Sequence, residues 1–148
     1  MNIDKLTQNV QRALMDAQSL AARHNHQLVD GEHFLAALLD QKDGLAPMLL
    51  EKCGIAVAPL RDALNKELDK MPRVTGAGAN GQVGITRRLN KILSDADAVA
   101  ANLKDDYVSV EHTLMVFIDE RDESPAGRLL KEFGLTHDKL MKAMSDIR

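Results

Sequence analysis

The chain has 148 residues, a net charge of −3 and 45% hydrophobic residues, which suits one globular domain with a buried core. Basic residues form no cluster and aromatic residues make up only 3%, so neither the basic face nor the stacking platform of a nucleic-acid binder is present. No apolar run approaches the roughly 20 residues that span a bilayer. The single Cys53 excludes an internal disulfide and fits a reducing, cytoplasmic compartment.

The first predicted element is a helix from Leu6 to His24, along which apolar residues recur at i, i+3 and i+4. The stretch "VDGEHFLAALLD" follows and predicts a helix near 31–41. Asp30 is a good N-cap for that helix. Glu32 would lie in its first turn, where a negative charge meets the positive end of the helix dipole.

Two more helices are predicted before the middle of the chain. A short one ends at Gly54, since glycine can take the left-handed conformation past a helix C-terminus. The next runs near 57–70, and Pro72 prevents its continuation. The connector 71–84, "MPRVTGAGANGQVG", is rich in glycine but has no Lys after the glycines and no strand before them. A flexible linker is therefore favoured over a phosphate-binding loop.

The second half of the chain predicts the same four elements in the same order. The stretch "VSVEHTLMVFID" again begins with a good N-cap, Ser109, and again places a glutamate, Glu111, in the first helical turn. The third helix again ends at a glycine, Gly134. The predicted helices run from Leu89 to Leu103, near 110–121, up to Gly134, and near 137–147.

The two halves are copies of one unit. Their Glu-His pairs lie 111 − 32 = 79 positions apart, and the flanking residues match at the same offset, with one inserted residue near the end. We assign the first unit to about 4–70 and the second to about 85–148. No run of alternating polar and β-branched residues predicts a sheet. We therefore expect an all-α fold of two similar helical bundles packed together, eight helices in total.

The Glu-His pairs also have a catalytic interpretation, which the spacing disfavours. A zinc-protease helix needs a second His four residues after the first. Ala37 and Val116 occupy those positions here. We therefore interpret both pairs as helix starts rather than metal or acid–base sites.

Other candidates for chemistry are weak. His24 and His26 could bind a metal, but no Cys or carboxylate cluster completes a ligand set, so a polar helix end is favoured. Cys53 corresponds to Phe133 of the other unit and is expected to fill a small core site.

Two features leave their role open. Asp105, Asp106 and Glu111 gather in "KDDYVSVEH", which is either an acidic recognition spot or a solvated loop with a helix cap. The methionines on or beside the helices suit either a core or an adaptable apolar groove.

The chain resembles the N-terminal domains of Clp-family AAA+ chaperones, and most closely those of the ClpB type, the ATP-driven disaggregases. The resemblance covers nearly the whole chain. It rests on "KLTQNVQRALMDAQSLAARHNHQLVDGEHFLAALLDQ", "LDKMPRVTG" and "DDYVSVEHTLMVF".

The resemblance implies an eight-helix, pseudo-twofold domain on a mobile linker above a homohexameric ATPase ring. Such a domain helps to capture unfolded or aggregated proteins, which the ring then threads. ATP and Mg²⁺ belong to the ring, so no cofactor and no catalysis are expected in this chain, which has no Walker motif. The DnaK-system chaperones are expected to bind other parts of the parent protein.

The resemblance also implies roles for individual residues. The polar positions that the family links to substrate match Thr7, Asp105 and Glu111. Thr86 matches a hydroxyl residue at the start of the second unit's first helix. Further expectations are an apolar groove on the second unit that includes Val99, with two positions, Asp95 and His112, that can be apolar in relatives.

The sequence is therefore compatible with three functions. The first is a module that binds unfolded, apolar polypeptide. The second is a docking module for one folded adaptor, as in ClpA and ClpC relatives, or for one short helix, as in a secretion-system relative. The third, a small metal-dependent hydrolase, is nearly excluded by the missing ligands.

Overall fold

The computed structural model describes residues 2–74 and 83–147, and these contain eight α-helices, two short 3-10 helices and two strands of two residues each. The predicted all-α fold class is therefore confirmed. The helices are α1 (Gln8–Arg23), α2 (Gly31–Asp40), α3 (Leu45–Lys52), α4 (Val57–Lys70), α5 (Arg87–Asn102), α6 (Val110–Glu120), α7 (Pro125–Glu132) and α8 (His137–Ile147).

The first helix of each unit begins at a threonine. Thr7 Oγ1 accepts a hydrogen bond from the backbone N–H of Val10 at 3.4 Å, and Thr86 Oγ1 accepts one from that of Leu89 at 3.0 Å. Each hydroxyl satisfies a backbone donor that the first helical turn leaves without an intrahelical partner. The helices then bury one apolar face each, as their periodicity predicts.

The same two helices end in equivalent left-handed turns. Asn25 has φ 58° and Lys104 has φ 62°, at positions 79 apart. The following residue in each case, His26 or Asp105, returns its N–H to a carbonyl five positions earlier, at 2.9 Å. This C-terminal turn fixes where the side chains of His26 and Asp105 lie.

The structure differs from the sequence expectation in having a small parallel sheet. Strand β1 (Leu28–Val29) pairs with β2 (Gly84–Ile85), and an isolated parallel bridge joins Leu6 to Val108. Segments of two residues carry no detectable alternation, and their partners lie far apart in sequence, so the pattern could not predict them. The connector boundary also changes, because Gly84 belongs to β2. Residues 75–82 of the predicted linker lie outside the described residues.

The two units interlock around a shared core. α2 and α6 lie at its centre, where Phe34 and Phe117 stack with ring centroids 6.4 Å apart. α2 packs on α1 and α4 of its own unit and on α7 of the other, while α6 packs on α5, α7 and also α3. The expectation of two bundles packed together is thus refined, since α2 and α6 each pack against helices of both units.

Candidate functional site

Two junctions, 79 positions apart in sequence, join the units. In the first junction Thr86 donates its backbone N–H to the carbonyl of Val29 at 3.0 Å, next to the β1–β2 pair. In the second junction Thr7 donates its N–H to the carbonyl of Val108 at 3.0 Å. Each junction therefore brings the start of one unit's first helix against the start of the other unit's second helix.

The first junction is tied by side chains as well. Thr86 Oγ1 donates to Asp30 Oδ1 at 2.9 Å, and Gly31 N–H donates to the same oxygen at 2.7 Å. The His33 ring reaches back, and its Nδ1 accepts from the backbone N–H of Asp30 at 2.9 Å. Asp30 is thus the N-cap of α2, as predicted, and is also a contact between the units.

An arginine network closes this junction, defined as Arg88, Asp30, Glu32 and Glu120. Arg88 Nη1 lies 2.8 Å from Glu32 Oε1 and Nη2 lies 3.0 Å from Oε2, while Nε and Nη2 contact Glu120 at 2.9 Å each. Nη1 also lies 3.0 Å from Asp30 Oδ1. Burial opposes the charged guanidinium, but the hydrogen bonds to Glu120 and Glu32 outweigh it and raise the pKa of Arg88.

This network corrects the interpretation of Glu32. Glu32 is more than the first-turn charge expected from its position, because the residue is 4% exposed and its carboxylate neutralises Arg88. Its Oε2 also accepts the backbone N–H of Ala126, near the start of α7, at 3.1 Å. A signal was available in the repeat, because Arg88 corresponds to the neutral Asn9, so the two units differ in charge at this position.

The second junction has the same frame and different side chains. His112 Nδ1 accepts from the backbone N–H of Ser109 at 2.8 Å, which confirms Ser109 as the N-cap of α6. His112 Nε2 lies 2.8 Å from Asp105 Oδ2. The His112 ring is 1% exposed, so an external ligand at this surface would meet Asp105 rather than the imidazole. His112 therefore positions Asp105.

Glu111 is half-buried beside this cap, at the position that corresponds to Glu32. The residues that correspond to Arg88 and Glu120 are Asn9 and Gln41, which are neutral. Gln41 Nε2 donates to the Asn9 carbonyl at 2.8 Å. The arginine and the glutamate that bind each other in the first junction are therefore replaced by two neutral residues in the second.

An apolar groove runs along the seam between the first helices of the two units. It has a volume of about 560 Å³. It is lined in pseudo-symmetric pairs by Leu6 with Ile85 and by Leu14 with Leu93, and Ile3 also contributes. Ile3 is 59% exposed and Ile85 37% exposed, which leaves apolar surface open to solvent. Leu6 joins this groove directly to Thr7 and the second junction.

The remaining predicted residues lie elsewhere. Val99 is partly buried against the core and is not among the residues lining this groove. Asp95 forms an ion pair with Lys91 at 2.6 Å. Cys53 is buried, as expected, and burial raises the pKa of its thiol. Within the described part of the chain, no three His, Cys, Asp or Glu side chains form a metal-binding group.

The expectation of a polar helix end at His24 and His26 holds for one residue only. His24 is half-buried, and its Nδ1 lies 3.6 Å from Asp69. His26 is 5% exposed and contacts His33 in the interior. This contact joins two different elements, so local sequence patterns do not predict it.

Comparison with known sequences places residues 5–133 in the family model described as the Clp repeat (R) N-terminal domain. The chain is 42% identical over its whole length to the chaperone protein ClpB of Nitratidesulfovibrio vulgaris. It is 39% identical over its whole length to that of Vibrio cholerae. It spans 17% of the length of each of these relatives.

Solved structures show the same fold at lower identity. The N-domain of ClpV from Vibrio cholerae has a TM-score of 0.81 and 21% identity, with 98% of this chain and 86% of that chain covered. The Hsp104 N-terminal domain from Candida albicans has a TM-score of 0.79 and 19% identity, with 97% of this chain and 91% of that chain covered.

A search of residues 2–74 and 83–147 for membrane-spanning helices finds none with the required length and apolar character.

Proposed function

This chain belongs to the Clp N-terminal domain family, and we propose that it is the domain with which a ClpB-type chaperone captures unfolded or aggregated polypeptide. The observation that carries this proposal is the open apolar groove at the seam between α1 and α5. An exposed apolar groove next to polar and acidic groups is typical of a polypeptide-binding surface.

The groove would hold the apolar side chains of a client. Ile3 and Ile85 present apolar surface on its two sides, and Asn90 and Ser94 supply polar groups along α5. Unfolded chains expose apolar side chains that folded proteins bury, so such a groove selects unfolded clients without reading a sequence. Val99, on the same helix α5, is proposed to extend the contact surface.

Thr7, Asp105 and Glu111 would add polar contacts to the same client. Thr7 follows Leu6 of the groove and contacts the segment before Ser109, so the apolar and polar parts of the surface are continuous. Carboxylates accept hydrogen bonds from the backbone N–H groups that an extended chain leaves without partners. His112 holds the Asp105 carboxylate in place through the 2.8 Å contact.

Binding by one such domain is expected to be weak, because a flexible client loses conformational entropy when it is ordered on a small groove. The parent is proposed to be a cytoplasmic homohexamer, in which several linked domains raise the effective affinity. ATP and Mg²⁺ would act in its ring modules, which would thread the captured chain. The DnaK-system chaperones would contact other parts of the parent.

The proposal is tested by titrating the isotope-labelled chain with a permanently unfolded protein and following backbone NMR shifts. We expect localised shifts around Leu6, Ile85, Asp105 and Glu111. Ile85→Ser should weaken binding, and Met48→Ser is the matched control, because Met48 is similarly exposed at 42% but lies on α3 outside the groove. If both variants bind the unfolded protein with the same affinity as the unsubstituted chain, the proposal is wrong.

The docking of one defined partner is the second candidate. A ClpV N-domain of the same fold, with a TM-score of 0.75, was solved in complex with a VipB peptide. For this chain that function predicts saturable binding of a single folded protein or helix, with which unfolded chains do not compete. Competition by unfolded chains at the Ile85 side of the groove would favour client capture instead.

A further inference from the structure

Two buried histidines join the first two helices of the first unit. His26 follows α1, and His33 lies in the first turn of α2. His26 Nδ1 and His33 Nε2 are 2.8 Å apart. The exposed fractions are 5% for His26 and 0% for His33. This contact is independent of the proposed polypeptide-binding surface.

The hydrogen bonds fix where each ring carries its proton. The backbone N–H of Asp30 can only donate, so His33 Nδ1 must be an unprotonated acceptor. His33 then carries its proton on Nε2 and donates it to His26 Nδ1. The proton of His26 is therefore on Nε2. That atom is buried and has no hydrogen-bond partner among the described residues.

This chain of contacts has no place for one more proton. Protonation of His33 would put a second hydrogen between Nδ1 and the Asp30 N–H. Protonation of His26 would put a second hydrogen between His26 Nδ1 and His33 Nε2. His33 could avoid this only by moving its proton to Nδ1, where it would oppose the Asp30 N–H. Either event replaces a hydrogen bond with two opposed donors. The arrangement is therefore compatible only with two neutral rings.

The surrounding charges do not compensate. His24 stacks on His26, with centroids 5.2 Å apart and planes 18° from parallel. Burial lowers the pKa of His26, His24 and Arg73 lower it further, and Asp69 on α4 opposes them. Burial lowers the pKa of His33 to about 4, with His26 and His24 adding to the effect, while Asp30 opposes it. The Asp30 carboxylate is itself engaged by Arg88 and Thr86.

The second unit has a carboxylate in place of the first histidine of this pair. Asp105 occupies the position of His26, so His112 contacts a carboxylate where His33 contacts an imidazole. An ionised carboxylate only accepts hydrogen bonds, so His112 donates to an acceptor at this position and no second imidazole N–H can face it. The histidine pair is thus confined to the first unit.

The pair is coupled to the contact between units. The Asp30 N–H donates to His33, while the Asp30 carboxylate holds Thr86 and Arg88 of the second unit. α2 is buried from Gly31 to Leu39, so loosening of its first turn would expose apolar core.

We propose that the His26–His33 pair is an acid-sensitive latch that keeps the start of α2 and the first junction closed only while both rings are neutral. The sign follows from linkage. Between about pH 6.5 and pH 4 the unfolded or opened chain binds more protons than the closed one, so stability is present above this window and is lost as the pH falls through it. From His33 alone the folded-to-unfolded ratio falls roughly thirty-fold by about pH 5.

The test is urea unfolding of the 148-residue chain at about pH 7.5 and about pH 5. His33→Gln keeps an acceptor for the Asp30 N–H, can present its amide N–H to His26, and removes the ring whose protonation would break both contacts. His26→Asp copies the second unit. Both variants should lose much less stability in acid than the unsubstituted chain. His137→Gln, which removes an exposed histidine, should lose as much stability in acid as the unsubstituted chain.

Amide hydrogen exchange locates the effect. After correction for intrinsic rates, acid should accelerate exchange of Phe34 and Leu35 in α2 more than that of Thr113 and Leu114 in α6. If His26→Asp does not fold, His33→Gln decides alone. The proposal is wrong if acid lowers the stability of the unsubstituted chain and of His33→Gln equally. It is also wrong if acid accelerates hydrogen exchange equally in α2 and α6.

Discussion

Arg88 and Glu32 form a two-pronged ion pair across the two units, with Nη1 2.8 Å from Oε1 and Nη2 3.0 Å from Oε2. Arg88 is on the first helix of the second unit and Glu32 on the second helix of the first. Because Glu32 is 4% exposed, its charge depends on this partner for compensation.

Replacing Arg88 with Met should therefore destabilise the chain strongly. The change leaves Glu32 and Glu120 without their cation in a buried site, which costs about 3 kcal/mol or more. The free energy of unfolding in urea measures the loss. The double variant with Glu32→Gln should be less destabilised than the sum of the two single variants, because the buried charge is then removed as well.

Lys91→Met is the matched control for that experiment. Lys91 is on the same helix and pairs with Asp95, but this pair is exposed to solvent. Surface pairs contribute little, so no measurable change is expected. A loss in Lys91→Met as large as that in Arg88→Met would show that helix α5, rather than the buried pair, is sensitive to the substitution.

Gly31 is predicted to be intolerant of a side chain. A Cβ there would lie 3.0 Å from Arg88 Nη2, 3.0 Å from Ile92 Cδ1 and 3.1 Å from Phe117 Cε1. Gly31→Ala should cost about 1–3 kcal/mol through overpacking. Gly84→Ala is the comparison, because its Cβ would meet only the side chain of Leu28, which is 48% exposed and free to move. Equal thermal midpoints for the two variants would contradict the packing argument.

The repeat in the sequence predicted much of the fold but little of what distinguishes its halves. Periodicity located the helices, and Asp30, Thr86 and Ser109 are N-caps as expected, because capping depends on local residue type and spacing. The β1–β2 pair and the packing of α2 and α6 against helices of both units depend on contacts between distant segments, which local patterns do not encode.

The same limit applies to the candidate site. Asp105 and Glu111 could be grouped because they are close in sequence, whereas the groove could not be predicted, because it is formed by the corresponding first segments of the two units, about 79 residues apart. The acidic neighbours of Glu32 could not be predicted either, because Glu120, which binds the same arginine, is 88 residues away in sequence. Comparing corresponding positions, Arg88 with Asn9 and His26 with Asp105, is the signal that would have separated the two junctions.

Cys53 should react slowly with thiol reagents in the folded chain. It is 8% exposed, and burial raises the pKa of its thiol, so little reactive thiolate is present near neutral pH. Alkylation followed by mass spectrometry should show slow modification that accelerates when urea unfolds the protein. A rate in buffer equal to that in urea would mean that the α3 end, where Cys53 lies, opens freely.

Replacement of the corresponding residues Glu32 and Glu111 with Gln should affect different properties, stability in the first case and client binding in the second. Glu32→Gln removes a charge that Arg88 requires, so it should lower the free energy of unfolding by about 1–3 kcal/mol. Glu111→Gln keeps nearly the same shape, and Glu111 is only half-buried, whereas Glu32 is buried. It should weaken client binding more than it changes stability. Urea unfolding and NMR titration of both variants separate the two effects. If Glu111→Gln leaves both client binding and stability unchanged, the proposed role of Glu111 is wrong.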